Sequence, residues 1–200
     1  SISSAGQVDI RSNVSAERDL QVTSSSATKA LSLIDARLSA RRDLSLEGTG
    51  AANLTGGALV ASRALSVRVG RLVDQASDAG LEDNNTRFGQ SVSLIVGTSA
   101  QVAGVAWGAD GALSGQFGSL AVDADAGALF YAGGTLGLSS QGHLALSTAA
   151  VQATGHVTLG SSQGQISTEQ GDEQGIQSTQ GNVSLSAKPV SYTHLRAHET

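Results

Sequence analysis

The chain has 200 residues, 40% of them hydrophobic, and a formal charge of −5, which suffices for one domain or for a piece of a longer protein. It holds no Cys or Met and only one Trp, two Tyr and three Phe, which excludes a disulfide scaffold and thiol chemistry and disfavours a core built on aromatic rings. No apolar run reaches the roughly 18 residues of a membrane-spanning helix.

Charge divides the chain unevenly. Residues 1–87 balance ten basic groups against ten acidic ones, whereas residues 88–187 hold no Lys or Arg and carry Asp110, Asp123, Asp125, Glu169, Asp172 and Glu173. A surface of that sign repels phosphate backbones, so nucleic acid is not an expected partner.

In chain order, an alternating aliphatic pair recurs as Val8/Ile10, Leu20/Val22, Leu31/Leu33, Leu44/Leu46, Leu65/Val67, Val92/Leu94, Leu120/Val122, Leu136/Leu138, Leu144/Leu146, Val157/Leu159 and Val183/Leu185. Two-residue spacing is the signature of a half-buried strand. The first members are separated by 12, 11, 13, 21, 27, 28, 16, 8, 13 and 26 residues, which predicts coils of 20 to 27 residues, although the steps of 8 and 16 break that period. Asp110-Gly111 is the only hairpin-type Asn-Gly or Asp-Gly dipeptide, and polar Ser, Thr, Asn and Gln recur at like places beside the strands. Both features favour a stacked coil over a sandwich. The expectation is an all-β parallel β-helix of roughly eight coils. These pairs form its structural core ladder.

The pattern is most explicit between Gly134 and Leu159, where Gly134-Thr135-Leu136-Gly137-Leu138, Gly142-His143-Leu144-Ala145-Leu146 and Gly155-His156-Val157-Thr158-Leu159 repeat one theme. Glycine makes the corner and the aliphatics enter the core. Two stretches depart from it. Residues 27–46 also read as a helix with Leu31, Ile34 and Leu38 on one face, although Leu38, Ala40, Leu44 and Leu46 keep a strand register. Residues 74–90 are polar and predict a loop excursion or a short helix.

Chemistry-bearing groups are sparse, and no catalytic, cofactor-binding or metal-binding residues are expected. Asp123 and Asp125 before Gly127 form part of a calcium-loop pattern, but the distal Glu and further oxygen ligands are missing. His143 and His156 read as outward ladder residues. Trp107, Phe117, Phe130 and Tyr131 suggest core filling or a carbohydrate-stacking patch. A β-helical carbohydrate-active enzyme would need clustered carboxylates, for which Asp110, Asp123 and Asp125 are the candidates.

Gly142-His143-Leu144-Ala145-Leu146-Ser147-Thr148-Ala149, Gly155-His156-Val157-Thr158-Leu159-Gly160 and Gly181-Asn182-Val183-Ser184-Leu185-Ser186-Ala187 resemble the repeats of filamentous haemagglutinin-type exoproteins. The likeness covers roughly residues 5–187. It implies a right-handed coil, two-partner secretion through an outer-membrane transporter, and a place outside a Gram-negative bacterium or on its outer surface. The segment would then belong to an adhesin that meets a host or neighbouring-cell receptor or glycan, or to the stem of a contact-dependent inhibition toxin. An autotransporter passenger built on the same coil is the alternative. Starting in mid-pattern, the chain reads as an internal fragment, with residues 1–187 as the repeat segment and 188–200 as a foreign tail. Residues 189–200 resemble a translated sequencing adapter, so His194, His198 and Glu199 only imitate a helical zinc pair.

Overall fold

A chain of alternating aliphatic and small polar residues, interrupted by glycine, can bury its apolar side only by laying one strand on the next. A computed structural model describes residues 1–77, 85–168 and 175–188, and within them the regular elements are short strands with parallel pairing. They stack as a three-faced β-solenoid of about eight coils.

On the first face, Leu20, Leu44, Leu65, Val92, Leu113, Leu136, Val157 and Val183 are successive register partners. Two residues further along each strand, Val22, Leu46, Val67 and Leu94 form a parallel inward column. The second face carries Val8, Leu31, Ala52, Leu72, Ala100, Leu120, Leu144 and Ile166. On the third face, Val14, Leu38, Leu59, Arg87, Trp107, Phe130, Val151 and Ile176 run in register. Beside them lies a column of small residues that includes Ala16, Ala40, Ala61, Ala109, Ala132 and Ala153. Partners on the first face are 20 to 27 residues apart. Strands Ser91–Ala103 and Leu113–Val122 pass through the first two faces without a break, with a bulge between Val96 and Ser99.

The corners differ in kind. Between the second and third faces the backbone turns through the left-handed region at Asp35 (φ 48°), Gly56 (61°), Gly57 (67°), Gly104 (66°), Gly127 (66°) and Thr148 (63°). Between the third and first faces a glycine spine climbs the later coils. There Gly134 N–H donates to Gly111 O at 2.7 Å and Gly155 N–H to Gly134 O at 2.7 Å. A Cβ at Gly155 would lie 2.8 Å from that same carbonyl, so the close approach requires glycine.

The core is one contiguous cluster running up the stack. Val8, Ile10, Leu20, Val22, Leu44, Leu46, Leu65, Val67, Val92, Leu94, Leu120, Val122, Leu136, Leu138, Leu144, Leu146, Val157 and Leu159 are all buried in it. The last pair differs from the expectation. Val183 is 42% exposed and Leu185 only half-buried, because the described residues place no further strand beyond Val183–Ser186 on that face. Full burial of such an aliphatic side chain is worth about 1.5–3 kcal/mol, and in a stacked coil much of it comes from contact with neighbouring coils.

The helical option for residues 27–46 is replaced by strands Leu31–Ile34, Arg37–Ala40 and Asp43–Gly48. The excursion expected over 74–90 is also narrower than its polarity suggested. Asp74 and Gln75 complete strand Arg71–Gln75, and Thr86–Gly89 is a strand of the third face. Its remaining centre, 78–84, lies outside the described residues, as do 189–200 with His194, His198 and Glu199, and also Glu169, Asp172 and Glu173.

Candidate functional site

One coil places charge where its neighbours place aliphatic carbon. Asp74 has Leu54 and Val102 as register partners, and Arg87 has Leu59 and Trp107, so both side chains point into the core. Both are buried, with Arg87 1% and Asp74 0% exposed. Arg87 Nη2 donates to Asp74 Oδ1 at 2.7 Å and to Gly56 O at 3.0 Å, while Nη1 donates to Gly57 O at 2.7 Å. The two carbonyls come from the left-handed corner of the preceding coil, so backbone conformation one coil below helps to orient the guanidinium. The strands bearing the pair end and begin on either side of a corner where Ser77 N–H donates to Asn85 Oδ1 at 3.3 Å.

Desolvation pushes the Asp74 carboxyl above its ordinary range, against the opposing pull of Arg87 and Trp107. The indole of Trp107 is close enough to favour the carboxylate, yet Trp107 Nε1 and Asp74 Oδ2 form no hydrogen bond of acceptable geometry, and Arg87 Nε is also left without one. A buried pair of this kind is by itself weak evidence for added stability.

The outward surface is organised by register in the same way. On the third face Val60, Phe88, Gly108, Tyr131 and Gln152 follow one another. A Cβ at Gly108 would stand 3.1 Å from Phe88 Cδ2, so the Phe88 ring lies across that glycine. Tyr131 and its near neighbour Leu129 are 40% and 37% exposed. On the first face Ser45, Ser66, Ser93 and Ser114 make a column of hydroxyls. In the earlier coils, charges pair from coil to coil. Arg41 Nη1 is 2.8 Å from Glu17 Oε2, Arg42 Nε is 3.1 Å from Asp19 Oδ1 but poorly aligned for a hydrogen bond, and Arg63 bonds Asp43. The Arg63 guanidinium holds the Asp43 carboxyl below its usual range.

The residues singled out in the sequence fall into different places. Asp123 Oδ1 accepts the N–H groups of Asp125 at 2.9 Å and Ala126 at 3.1 Å, which makes it the brace of its own turn. Asp110 sits at the corner between the third and first faces, away from that turn, so the three carboxylates share no groove. His143 and His156 each accept a backbone N–H of the next coil through Nδ1, from Gln165 at 3.4 Å and Asn182 at 3.0 Å. Asn13 Oδ1 does the same for Arg37 N–H at 2.9 Å. These side chains share a position one residue before a strand. Trp107, Phe117 and Phe130 are in the core, leaving Tyr131 as the outward member of the aromatic set.

A half-open pocket of about 240 Å³ lies at the second face, with Asp74, Val102 and Val122 among its lining residues beside Val73, Gln101 and Asp123. Among the described residues no three His, Asp or Glu side chains converge as a metal site. Sequence reading missed Asp74 and Arg87. The available signal was Leu72-Val73-Asp74, where an aspartate takes the place of the second aliphatic in an alternating pair. Comparison with known protein families, with curated proteins and with solved structures finds no match.

Proposed function

We propose that the chain is a stalk segment of a large secreted or surface-displayed bacterial exoprotein of the filamentous haemagglutinin type, whose mechanism is spacing and adhesive display along a rod. The observation that carries this reading is the three-faced coil stack itself, in which like side chains recur in register on each face. A stack of this kind holds outward groups at the strand spacing of about 4.8 Å. The likeness of the Gly142–Ala149 and Gly155–Gly160 repeats to that exoprotein family supports the same reading. An outer-membrane transporter is the export partner in this proposal, and a receptor or glycan on a host or neighbouring cell is the ligand. The segment itself performs no catalysis in it.

An antibody raised against the chain tests the placement on intact cells of the producing bacterium. Labelling of unpermeabilised cells, lost after brief external protease, is expected. Labelling that requires permeabilisation would place the protein inside and end the proposal. Beads coated with the chain test the adhesive part, and saturable retention on cell monolayers, competed by soluble chain, is the expected result.

A further inference from the structure

The outward side of the third face changes character partway up the stack. One outward column runs from Ser39 through Val60, Phe88, Gly108 and Tyr131 to Gln152. The column beside it carries Thr86, Ala106, Leu129 and Ala150. Gly108 keeps the middle of this surface flat, because the Phe88 ring lies where its side chain would stand, 3.1 Å from Phe88 Cδ2 to a Cβ at that position. Phe88 and Tyr131 are thus two strand steps apart, about 9.6 Å at the backbone, with only a glycine between them. Among the described residues three large hydrophobic side chains are exposed, and two of them, Tyr131 at 40% and Leu129 at 37%, stand on this one strand.

Charge is absent from the platform and negative at its borders. Residues 126–168 contain no Asp, Glu, Lys or Arg. Asp110 and Asp125 are exposed at the corners that leave and enter this face, a setting that disfavours sulfated or sialylated ligands. Size bears on the occupant as well. Four strands about 4.8 Å apart and about 16 Å long give a face on the order of 300 Å². A specific protein interface takes about 800 Å² from each partner, so this platform by itself is too small for one.

We propose that the platform of Phe88, Gly108 and Tyr131 binds a neutral oligosaccharide, with a sugar ring on the face of each aromatic side chain. Sugar rings present apolar C–H faces that stack on aromatic rings, and their edge hydroxyls bond to polar groups at the rim. The Tyr131 and Thr86 hydroxyls and the Gln152 carboxamide supply such groups within the same two columns. The inference rests on the adhesive reading for its biological setting and deepens it by naming the ligand class and the face that receives it.

The test is an NMR titration of the intact isotope-labelled chain with three neutral tetrasaccharides, cellotetraose, mannotetraose and lacto-N-neotetraose. Tetralysine and a sulfated heparin tetrasaccharide are the charged comparisons. Saturable shifts of the Phe88 and Tyr131 ring signals are expected with at least one neutral sugar, and none with either charged probe at the same concentration. Tyr131→Leu keeps an apolar side chain but loses the ring, so it should weaken the sugar by about three- to tenfold. Gln21→Leu, on the first face, should leave binding unchanged, and preserved strand signals in both variants show an intact fold. Ring shifts absent with all three sugars, or no weaker with a charged probe, overturn the proposal. Ring shifts produced by concentrating the chain alone would assign the platform to a second copy and overturn it too. The titration needs only the purified chain, so it can fail while cell labelling and bead retention succeed, and the two readings are decided separately.

Discussion

Arg87 and Asp74 show how one coil position can be occupied in two ways with opposite consequences. Removing either charge alone leaves the other buried without a partner, so Asp74→Leu or Arg87→Leu is expected to destabilise the chain by about 3–5 kcal/mol. Replacing both restores the aliphatic columns, and the double variant is expected to unfold at a denaturant concentration equal to or above that of the parent. Chemical denaturation of the three variants measures this. Protons distinguish the pair as well. Because burial raises the Asp74 carboxyl, the folded chain holds that proton more tightly than the unfolded chain does. Its contribution favours folding at pH below the ordinary carboxylate value and is lost as pH rises through the raised value. Asp43 acts in the opposite sense, contributing above the ordinary range and losing that contribution as pH falls through its lowered value. Asp43 is common to parent and double variant and cancels between them. Thermal melts across the acidic range should therefore show the stability of the parent, relative to the double variant, declining with rising pH. A flat or rising difference would contradict the assignment of the shift to Asp74.

Strands were legible because alternation of Leu, Val and Ile is a local signal, but the faces to which they belong were not. Leu136 and Leu144 stand on different faces of one coil, whereas Leu136 and Val157 are register partners. The step of 8 residues that appeared to break the period was therefore a step round a corner. The third face escaped notice for a related reason, since one of its inward columns is built from Ala16, Ala40, Ala61, Ala109, Ala132 and Ala153. Alanine is as common outside this fold as inside and carries little pattern. At the two ends of 74–90 charge was a poor guide, since Asp74 and Arg87 stand on strands and bond each other inside the coil. Glycine was read correctly as corner chemistry, yet sequence alone does not separate a glycine required by a close approach from a tolerated one. A Cβ at Gly155 would meet Gly134 O at 2.8 Å, while one at Gly137 would meet nothing within 4 Å. Gly155→Ala is expected to destabilise by about 1–3 kcal/mol through forced backbone movement. Gly137→Ala should remain within about 0.5 kcal/mol of the parent. Equal effects of the two in a denaturant melt would contradict the spine.

At the scale of the molecule, stability is a sum of contacts between neighbouring coils. Among the described residues burial is complete at Leu159, and Val183, in the last strand of that face, is 42% exposed. The same arithmetic gives the stack its use as a spacer, because residues far apart in sequence lie at fixed multiples of one strand spacing. Gln21, Ser45, Ser66, Ser93, Ser114, Gly137 and Thr158 form one outward column, with Gln21 and Thr158 six strand steps apart. The absence of native cysteine makes the distance directly measurable. Spin labels on Gln21→Cys and Thr158→Cys should give one narrow distribution centred near about 29 Å between backbone attachment points, by the interstrand spacing. Moving the first label to Ser45→Cys should shorten it by one step, about 4.8 Å. A broad distribution, or one that does not shorten when the label moves one coil, would contradict the stacked solenoid and with it the rod.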